Sequence, residues 1–351
     1  MDILLYNVTT ALKIGGIETF YYSIASELIK NHDVTICAGR GKVVPDSIKN
    51  SNVKMEMFDF LPRQKVIRFG KFIERVSFYF SARSFLASNK FDIVVIHKPF
   101  DFFVAYFLKK YHKNIKTVFV SGGEDFYFFD KFFIKFIDKI ISVSDANAEI
   151  LKKRYGRLVE VVYNGVDKIK FYPDCSLRDN VRFKFNIMPN ELLIGSVGRV
   201  VGWKGFHLIL EALKELKNFK FMLIGDGDNL NKLKQRADEI GLGARVVFVG
   251  AIEHDNLNAY FNAFDIYVQP SIGHEAFGIT VIEALSANKP CVVSENGGMR
   301  EIVKDGINGY KFKISDIQDM VSKIKIAIEN RDILRPRESI DGLYEWNKFA
   351  N

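Results

Sequence analysis

Short apolar runs alternate with amphipathic stretches along the whole of this 351-residue chain. Several runs carry Val and Ile at consecutive positions, which is typical of parallel strands buried on both faces. Between them, apolar residues recur at helical spacing. The predicted strands are 3–8, 34–38, 93–96, 117–121, 140–143 and 160–163 in the first half, and 192–198, 220–224, 245–249, 266–269 and 290–294 in the second. This alternation predicts an α/β fold of doubly wound sheets.

The alternation is interrupted once, between residues 164 and 174, where Asn, Gly, Asp and Pro predict turns. The chain is also long for a single core. We therefore expect two Rossmann-like domains, over residues 1–168 and 169–335, facing each other across a cleft. Residues 336–351 are expected to form a helix that returns to the first domain.

The first candidate site is Gly15-Gly16, which follows the first predicted strand and opens a helix. Two glycines there let backbone amides approach a phosphate or sugar oxygen at the positive end of the helix. A tight strand-to-helix turn explains the same pair equally well. The pattern is not the GxGxxG of dinucleotide-binding domains.

A second glycine-rich loop, residues 195–205, carries Arg199 and Lys204 between a strand and a helix. Two cations at this spacing can bind both phosphoryl groups of a diphosphate, Arg as a planar fork and Lys as a mobile point charge. They would stabilise the charge that a diphosphate gains as a sugar bond breaks. The alternative is a pair of solvated surface cations.

The strongest local pattern is a pair of carboxylates around a predicted helix start in residues 271–284. Glu275 lies in the loop and can accept hydrogen bonds from sugar hydroxyls, while Glu283 lies two turns into the helix and can bind a ribose diol. Between them, the amides of Phe277, Gly278 and Ile279 would face a phosphate. An exposed helical Glu is the alternative for Glu283.

The Arg199–Lys204 loop, Gly225-Asp226-Gly227 and Glu275-x7-Glu283 together resemble the donor domain of the retaining glycosyltransferase family 4, over roughly residues 140–312. The resemblance implies a GT-B fold and a metal-independent hexosyltransferase that uses a UDP-sugar, with a GDP-sugar as the alternative. It also implies roles: Arg199 and Lys204 bind the diphosphate, Glu275 contacts the transferred sugar and Glu283 holds the ribose. The donor-binding backbone contacts that it implies are those of Gly198, Phe277, Gly278 and Ile279.

One position departs from the family pattern. Many relatives carry a histidine at the end of the strand that ends here at Ser121, so the histidine contact to the sugar is in doubt. His97, at the end of another predicted strand, could supply a polar group instead. A single histidine at a strand end is more often structural.

Asp226-Gly227-Asp228 is similar to a DxD metal site, but Gly-Asp-Gly also makes a tight turn, and Asp228 can cap the next helix. Two carboxylates without further ligands are a poor Mg²⁺ site, and the histidines are too scattered for zinc. We therefore expect no metal and no cofactor, since a nucleotide sugar is a substrate.

The formal net charge of +8 favours anionic partners, but the chain lacks the motifs of nucleic-acid-binding domains. Residues 61–90 hold one acid, Glu74, and seven cations: Arg63, Lys65, Arg68, Lys71, Arg75, Arg83 and Lys90. An apolar stripe recurs among them at Phe69, Phe72, Ile73, Val76 and Phe80. This pattern predicts a basic amphipathic helix on an anionic membrane surface. The alternative is an ordinary helix whose stripe packs on the first sheet.

The expected location is the cytoplasm, peripheral on the inner face of the cytoplasmic membrane where residues 61–90 bind lipid. The three separated cysteines fit a reducing compartment, and no apolar run reaches the ~18–20 residues of a membrane span. The expected function is sugar transfer to a glycan or lipid-linked acceptor in cell-envelope or polysaccharide synthesis. A nucleotide-sugar epimerase or phosphorylase is the alternative on the same architecture, and a non-catalytic nucleotide-sugar sensor is a more distant one.

Overall fold

The computed structural model describes residues 1–13, 15–62 and 69–350. They form two units, Met1–Asn164 with the residues from Trp346 onward, and Gly165–Glu345. The sequence places the boundary later, after residue 168. Residues 165–168 belong to the second unit because hydrogen bonds hold them there. The Val166 amide donates to the Tyr344 carbonyl (3.1 Å), and Arg337 donates to the Lys168 carbonyl (3.0 Å).

The first unit contains a parallel seven-stranded sheet of order β3-β2-β1-β4-β5-β6-β7. Its strands are β1 (Asp2–Tyr6), β2 (Asp33–Gly39), β3 (Lys54–Phe58), β4 (Ile93–Ile96), β5 (Lys116–Ser121), β6 (Lys139–Ser142) and β7 (Glu160–Val161). The winding direction reverses between β1 and β4, which are paired neighbours. Ligands of open α/β sheets bind beyond the carboxyl ends of strands at such a reversal, so the loops after β1 and β4 are placed to contact one.

The helices of this unit cover the sheet. They are α1 (Gly16–Leu28), α2 (Asp46–Lys49), α3 (Gly70–Ser88), α4 (Phe102–Tyr111), α5 (Asp130–Phe133) and α6 (Asp145–Tyr155). Helix α3 packs into the core through a fully buried face that includes Phe78, Tyr79, Ala82 and Leu86. Helix α6 begins at a cap in which Ser144 Oγ accepts from the Asn147 amide (3.1 Å).

The second unit contains a parallel six-stranded sheet of order β10-β9-β8-β11-β12-β13. Its strands are β8 (Leu192–Val197), β9 (Phe219–Ile224), β10 (Val246–Gly250), β11 (Ile266–Gln269), β12 (Cys291–Ser294) and β13 (Gly309–Phe312). All residues of β11 and β12 are buried, as expected for central parallel strands covered on both faces. Here the winding reverses between β8 and β11.

Helices again cover this sheet. They are α7 (Cys175–Lys184), α8 (Phe206–Ala212), α9 (Leu230–Glu239), α10 (Leu257–Ala263), α11 (Ile279–Ser286), α12 (Met299–Ile302) and α13 (Ile317–Glu329). The core combines strand residues such as Ile194 and Val268 with helix residues such as Ile209 and Ile324. Two Rossmann-like α/β units are therefore present, and the predicted fold class is confirmed. No helix in the described residues is both long and apolar enough to cross a bilayer.

The C-terminal residues divide between the two units. Helix α14 (Asn347–Ala350) packs on α1, and the Phe20 ring lies 6.0 Å from that of Trp346 and 5.0 Å from that of Phe349. Residues 336–345, which the sequence assigns to the same returning helix, stay with the second unit instead. They do so because Tyr344 packs on Phe277, with ring centres 5.8 Å apart.

Candidate active site

The loops after β8 and β11 touch each other at the reversal of the second sheet. The Ile272 amide donates to the Trp203 carbonyl at 2.8 Å. A Cβ atom on Gly205, where φ is 71°, would lie 2.0 Å from a backbone oxygen of the β11 loop, so a larger residue would push the loops apart. This contact brings Lys204 and Glu275 into one site, as the resemblance implied.

Lys204 and Glu275 form an ion pair. The Lys204 Nζ atom lies 2.5 Å from Glu275 Oε2, and the two side chains are only 12% and 16% exposed. Nζ also lies 4.7 Å from the centre of the Trp203 ring. An ammonium group has three donors, so Lys204 can hold the carboxylate and still donate to an anionic ligand.

The backbone of Glu275 is held by a segment that the sequence did not single out. The Gly298 amide donates to the Glu275 carbonyl at 2.9 Å. A Cβ atom on Gly297, where φ is 50°, would lie 1.9 Å from the same oxygen. Asn296 Nδ2 donates to the Gly273 carbonyl at 2.6 Å. The sequence feature that could have indicated this segment is the Asn-Gly-Gly turn at residues 296–298, just after the buried strand β12.

Arg199 extends from the β8 loop and is exposed, without an ion pair to any described residue. The neighbouring Gly198 has a φ of 151°, and a Cβ atom on Gly225 would lie 1.9 Å from the Gly198 oxygen. The Gly225–Gly227 turn therefore braces the loop. Lys204 is fixed by the structure, whereas the Arg199 guanidinium is free to engage an anion.

Asp226 makes the tight turn anticipated from its flanking glycines. Its Oδ1 atom accepts from the Gly227 amide at 2.7 Å, and its carbonyl accepts from the Val200 amide at 2.9 Å. Nowhere in residues 1–13, 15–62 and 69–350 do three His, Cys, Asp or Glu side chains come together as metal ligands. Metal independence itself stays a prediction.

Helix α11 begins directly after Gly278, whose φ of 108° turns the chain into the helix. A Cβ atom at Gly278 would lie 2.9 Å from Met299 Cγ. Phe277 is buried beside it, and the Tyr267 hydroxyl donates to Thr280 Oγ1 at 2.7 Å in the first turn. The amides of a first helical turn have no acceptor within the helix, so this end of α11 can receive an anion.

Glu283 is buried, with 2% of its surface exposed, so the exposed alternative is wrong. Its Oε1 atom lies 2.6 Å from His254 Nε2. The Oε2 atom is buried without a partner among the described residues. Sequence reasoning missed His254, since a single histidine, here the first residue of a short 3-10 helix, carries no local pattern.

In the first unit, Gly15 and Gly16 stand at the start of α1. Gly15 adopts an extended φ of −178°, and a Cβ atom there would lie 2.8 Å from Glu18 Oε2. Glu18 is buried, and its Oε1 atom accepts from Thr9 Oγ1 at 2.7 Å. A carboxylate at this helix end disfavours a phosphate and suits a hydroxyl donor such as a sugar.

Ser121, the last residue of β5, lies close to His97, the first residue after β4. A Cβ atom on Gly122 would lie 2.3 Å from His97 Nε2. Ser121 is fully buried, and its hydroxyl donates to the Gly123 carbonyl at 3.2 Å. Burial lowers the pKa of His97 well below its ordinary value, with Lys98 and Arg75 adding to the effect. His97 is therefore neutral and packs 5.2 Å from the Phe20 ring.

Two family models match this chain. Residues 178–340 match the glycosyl transferases group 1, and residues 14–169 match glycosyltransferase family 4. The chain is a glycosyltransferase of the family 4 type. The family membership predicted from the motifs is thereby confirmed.

Similar proteins agree with this assignment. The glycosyltransferase is 25% identical to an uncharacterized glycosyltransferase of Methanocaldococcus jannaschii, MJ1069, over 95% of this chain and 92% of the relative. It is 33% identical to a second one from that organism, MJ1607, over 43% of this chain and 40% of the relative. The crystal structure of Anabaena Alr3699/HepE in complex with UDP and glucose has a TM-score of 0.85 at 20% identity, covering 99% of this chain and 98% of that one. This last likeness shows the shared GT-B fold.

Proposed function

We propose that this glycosyltransferase moves a hexose from a UDP-sugar to a glycan or lipid-linked acceptor in cell-envelope or polysaccharide synthesis. Transfer retains the anomeric configuration and needs no metal ion. The observation that carries the proposal is the contact between Lys204 and Glu275, which places a cation and a carboxylate together shortly before the start of α11.

The diphosphate of the donor is assigned to Lys204, Arg199 and the first turn of α11. Negative charge on the diphosphate rises as the sugar bond breaks, so these groups bind the transition state more strongly than the ground state. Lys204 is largely buried and Arg199 is exposed. Lys204 is therefore fixed in advance, while Arg199 adapts to the bound donor.

Glu275 is assigned to the hydroxyls of the transferred sugar. Its Oε2 atom already accepts from Lys204, which makes the carboxylate a weak nucleophile. This supports attack by the acceptor on the same face as the departing diphosphate, at an oxocarbenium-like carbon. The departing diphosphate takes the proton of the acceptor hydroxyl.

The choice of UDP rests on a structural relative. Anabaena Alr3699/HepE, whose fold matches over both units, is described in complex with UDP and glucose. The Oε2 atom of Glu283, which has no partner in the described part of the chain, supplies an acceptor for a ribose hydroxyl, which any ribonucleotide provides. GDP therefore remains the second donor nucleotide to test.

An anionic membrane surface is proposed as a partner of the first unit. The predicted stripe divides: Phe69 (79%), Phe72 (37%) and Phe80 (55%) are exposed, whereas Ile73 is half-buried and Val76 packs against the core. A second exposed aromatic group follows β5, at Phe128 (88%), Phe129 (54%) and Phe132 (57%). Exposed aromatic side chains beside cations are typical of proteins that lie on a bilayer.

The cations around these rings differ from the predicted set. Arg75 is buried and forms a 2.7 Å ion pair with Asp101, so it is not a surface charge. It faces the interior because it lies one turn from Phe78 and Tyr79 on the packed face of α3. Lys131 and Lys135 are exposed, and Lys135 Nζ lies 4.1 Å from the centre of the Phe132 ring. The predicted cations Arg63, Lys65 and Arg68 lie outside the described residues.

A donor panel tests the proposed function. UDP-, GDP- and ADP-sugars are compared by thermal shift, since a bound donor raises the unfolding temperature by mass action. Binding donors are then incubated with lipid-linked and glycan acceptors without added phosphate, and the anomeric configuration of the product is read by NMR. Epimerised free sugar, or turnover only with added phosphate, favours the epimerase or phosphorylase alternative. Donor binding without turnover favours a sensor.

A further inference from the structure

Lys170, His254 and Glu283 form a continuous polar chain in the second unit. Lys170 Nζ lies 2.7 Å from His254 Nδ1, and His254 Nε2 lies 2.6 Å from Glu283 Oε1. At the outer end, Nζ lies 2.5 Å from Asp255 Oδ1. The chain thus connects an exposed carboxylate to the buried carboxylate assigned above to the donor ribose.

The donors and acceptors of this chain fit only one arrangement of hydrogens. An ammonium group only donates, so Nδ1 of His254 must accept from Lys170. The ring hydrogen is therefore on Nε2 and is donated to Glu283 Oε1. The hydrogen bond from Lys170 lowers the pKa of Asp255, which favours the carboxylate form that accepts from Lys170 Nζ. In this arrangement the ring hydrogen of His254 points at Glu283 Oε1.

The segment that carries Lys170 is fixed on the second unit. Arg337 donates to the Phe171 carbonyl at 2.7 Å and to the Lys168 carbonyl at 3.0 Å. The Phe171 ring packs against His254, with ring centres 5.3 Å apart. The backbone is therefore held on both sides of Lys170 in the sequence. Lys170 cannot move away from His254 without breaking these contacts.

The polar chain ends inside the unit at Glu283, whose second carboxylate oxygen accepts no hydrogen bond from the described residues. Glu283 is 2% exposed, and its Oε2 atom has no partner among the described residues. A buried carboxylate oxygen without a donor is unfavourable. A ligand hydroxyl that donates to it removes that penalty, so the site selects ligands that carry such a hydroxyl.

The geometry points to Lys170 and His254 as positioning residues that turn Glu283 Oε2 toward a ribose hydroxyl and so make the enzyme select nucleotides that carry this hydroxyl over analogues that lack it. This inference rests on the proposed nucleotide-sugar function. Without His254, the Glu283 carboxylate loses the donor that fixes its rotation and can turn either oxygen away from the ribose. Without Lys170, the His254 ring can move its hydrogen to Nδ1 and stop donating to Glu283.

The test is calorimetric binding of UDP, 2′-deoxy-UDP and 3′-deoxy-UDP. We expect the wild type to bind UDP about 10–100-fold more tightly than the weaker of the two deoxy analogues, as expected for one buried polar group left unpaired. His254→Ala should reduce this ratio to about threefold or less, mainly by weakening UDP. Lys170→Met should reduce it in part. His254→Gln should restore part of it, because the Gln amide can donate to Glu283 in place of Nε2.

The controls separate positioning from folding. Lys184→Met replaces an exposed lysine of α7 and His112→Gln a histidine of the first unit, and both should keep the wild-type ratio. A His254→Ala variant that keeps the full ratio, or loses UDP and both deoxy analogues equally, overturns the inference. If Glu283→Gln lowers the ratio of UDP to deoxy-UDP affinity but His254→Ala does not, Glu283 still binds the ribose, and the proposed function stands without the positioning roles. A wild type that binds none of UDP, GDP and ADP overturns both.

Discussion

Lys204 Nζ and Glu275 Oε2 lie 2.5 Å apart although 71 positions separate the two residues in the chain. Each side chain compensates the charge of the other at a largely buried position. A diphosphate that binds here therefore shares the Lys204 ammonium group with Glu275. Removing either partner has different consequences for binding and for turnover.

Replacing Glu275 with Ala is expected to reduce transfer by about 100-fold or more, because contacts to the reacting sugar are lost. Affinity for free UDP should stay within a few-fold of wild type or increase, since Lys204 is released toward the phosphate. Steady-state kinetics and UDP calorimetry on the same preparation measure both. A collapse of UDP binding would show that Glu275 holds the nucleotide and not the sugar.

Replacing Lys204 or Arg199 with Ala is expected to slow turnover by roughly 100-fold or more in each case, through lost stabilisation of the departing diphosphate. The measurement is kcat with saturating donor. Lys232→Ala, an exposed lysine on α9, is the matched control and should keep its rate. Near-normal rates in both site variants are incompatible with the diphosphate assignment.

EDTA is expected to leave the transfer rate unchanged. The charge of the leaving diphosphate is assigned to Lys204, Arg199 and the α11 amides, and Asp226 is occupied in its own turn. Rates are compared before and after dialysis against EDTA, with Mg²⁺ or Mn²⁺ added back. Inhibition that either ion reverses would give Asp226 and Asp228 the metal-binding role rejected from the sequence.

The sequence predicted the central strands and the edge strands β7 and β10, but it missed the other two edge strands, β3 and β13. Central strands such as β11 and β12 are continuous apolar runs because both faces are buried. The edge strands β3 and β13 each pair with one neighbour and mix charged with apolar residues. Because these strands are only partly buried, they lack the continuous apolar run from which a buried strand is predicted.

The site shows a similar division. Glu275 and Glu283 lie on one loop and helix, so their spacing was informative. His254 contacts Glu283 across 29 positions, and Lys170 contacts His254 across 84. The role of such single residues cannot be predicted from the sequence, because it depends on contacts that form only in the folded unit. Arg75 was misplaced for the same reason, since its partner Asp101 lies on another element.

Lys289 is expected to make stability depend on pH. Burial lowers its pKa from 10.5 to about 8, although Nζ donates to the Asn262 carbonyl at 2.9 Å. The folded state therefore binds this proton less tightly than the unfolded chain. The charge opposes folding below about pH 8, by at most roughly 3 kcal/mol, and that cost disappears as pH rises toward the unfolded value.

Lys289→Met should accordingly raise the free energy of unfolding by about 1–2 kcal/mol at pH 7, after the loss of one hydrogen bond. This increase in the free energy of unfolding should be smaller at about pH 9.5 than at pH 7. Of the two tryptophans, Trp203 lies in the second unit with Lys289 and Trp346 lies in the first. Urea unfolding followed by fluorescence in a Trp346→Phe background therefore reports the second unit. A gain that grows with pH contradicts the assigned shift.

The last prediction concerns membrane binding by the first unit. If this unit docks to anionic lipid, binding combines insertion of exposed rings with attraction of cations. Co-sedimentation with vesicles of increasing anionic lipid content should show binding that weakens as salt rises. Converting Arg63, Lys65, Arg68 and Lys71 to Gln should remove several kcal/mol of attraction, at about 1 kcal/mol per cation. Lys71 should contribute least, because its Nζ atom lies 2.9 Å from Asp125 Oδ1.

Replacing Phe128, Phe129 and Phe132 with Ser separates insertion from charge. We expect this variant to bind weakly at every lipid composition but to keep its salt dependence, because its cations remain. Phe183→Ser is the matched control, since Phe183 is 87% exposed on α7 of the second unit. The change at Lys71 should affect folding little, because an exposed charge contributes weakly to stability. Wild-type binding that is absent, or indifferent to lipid charge and to both sets of substitutions, would make a soluble acceptor the better proposal.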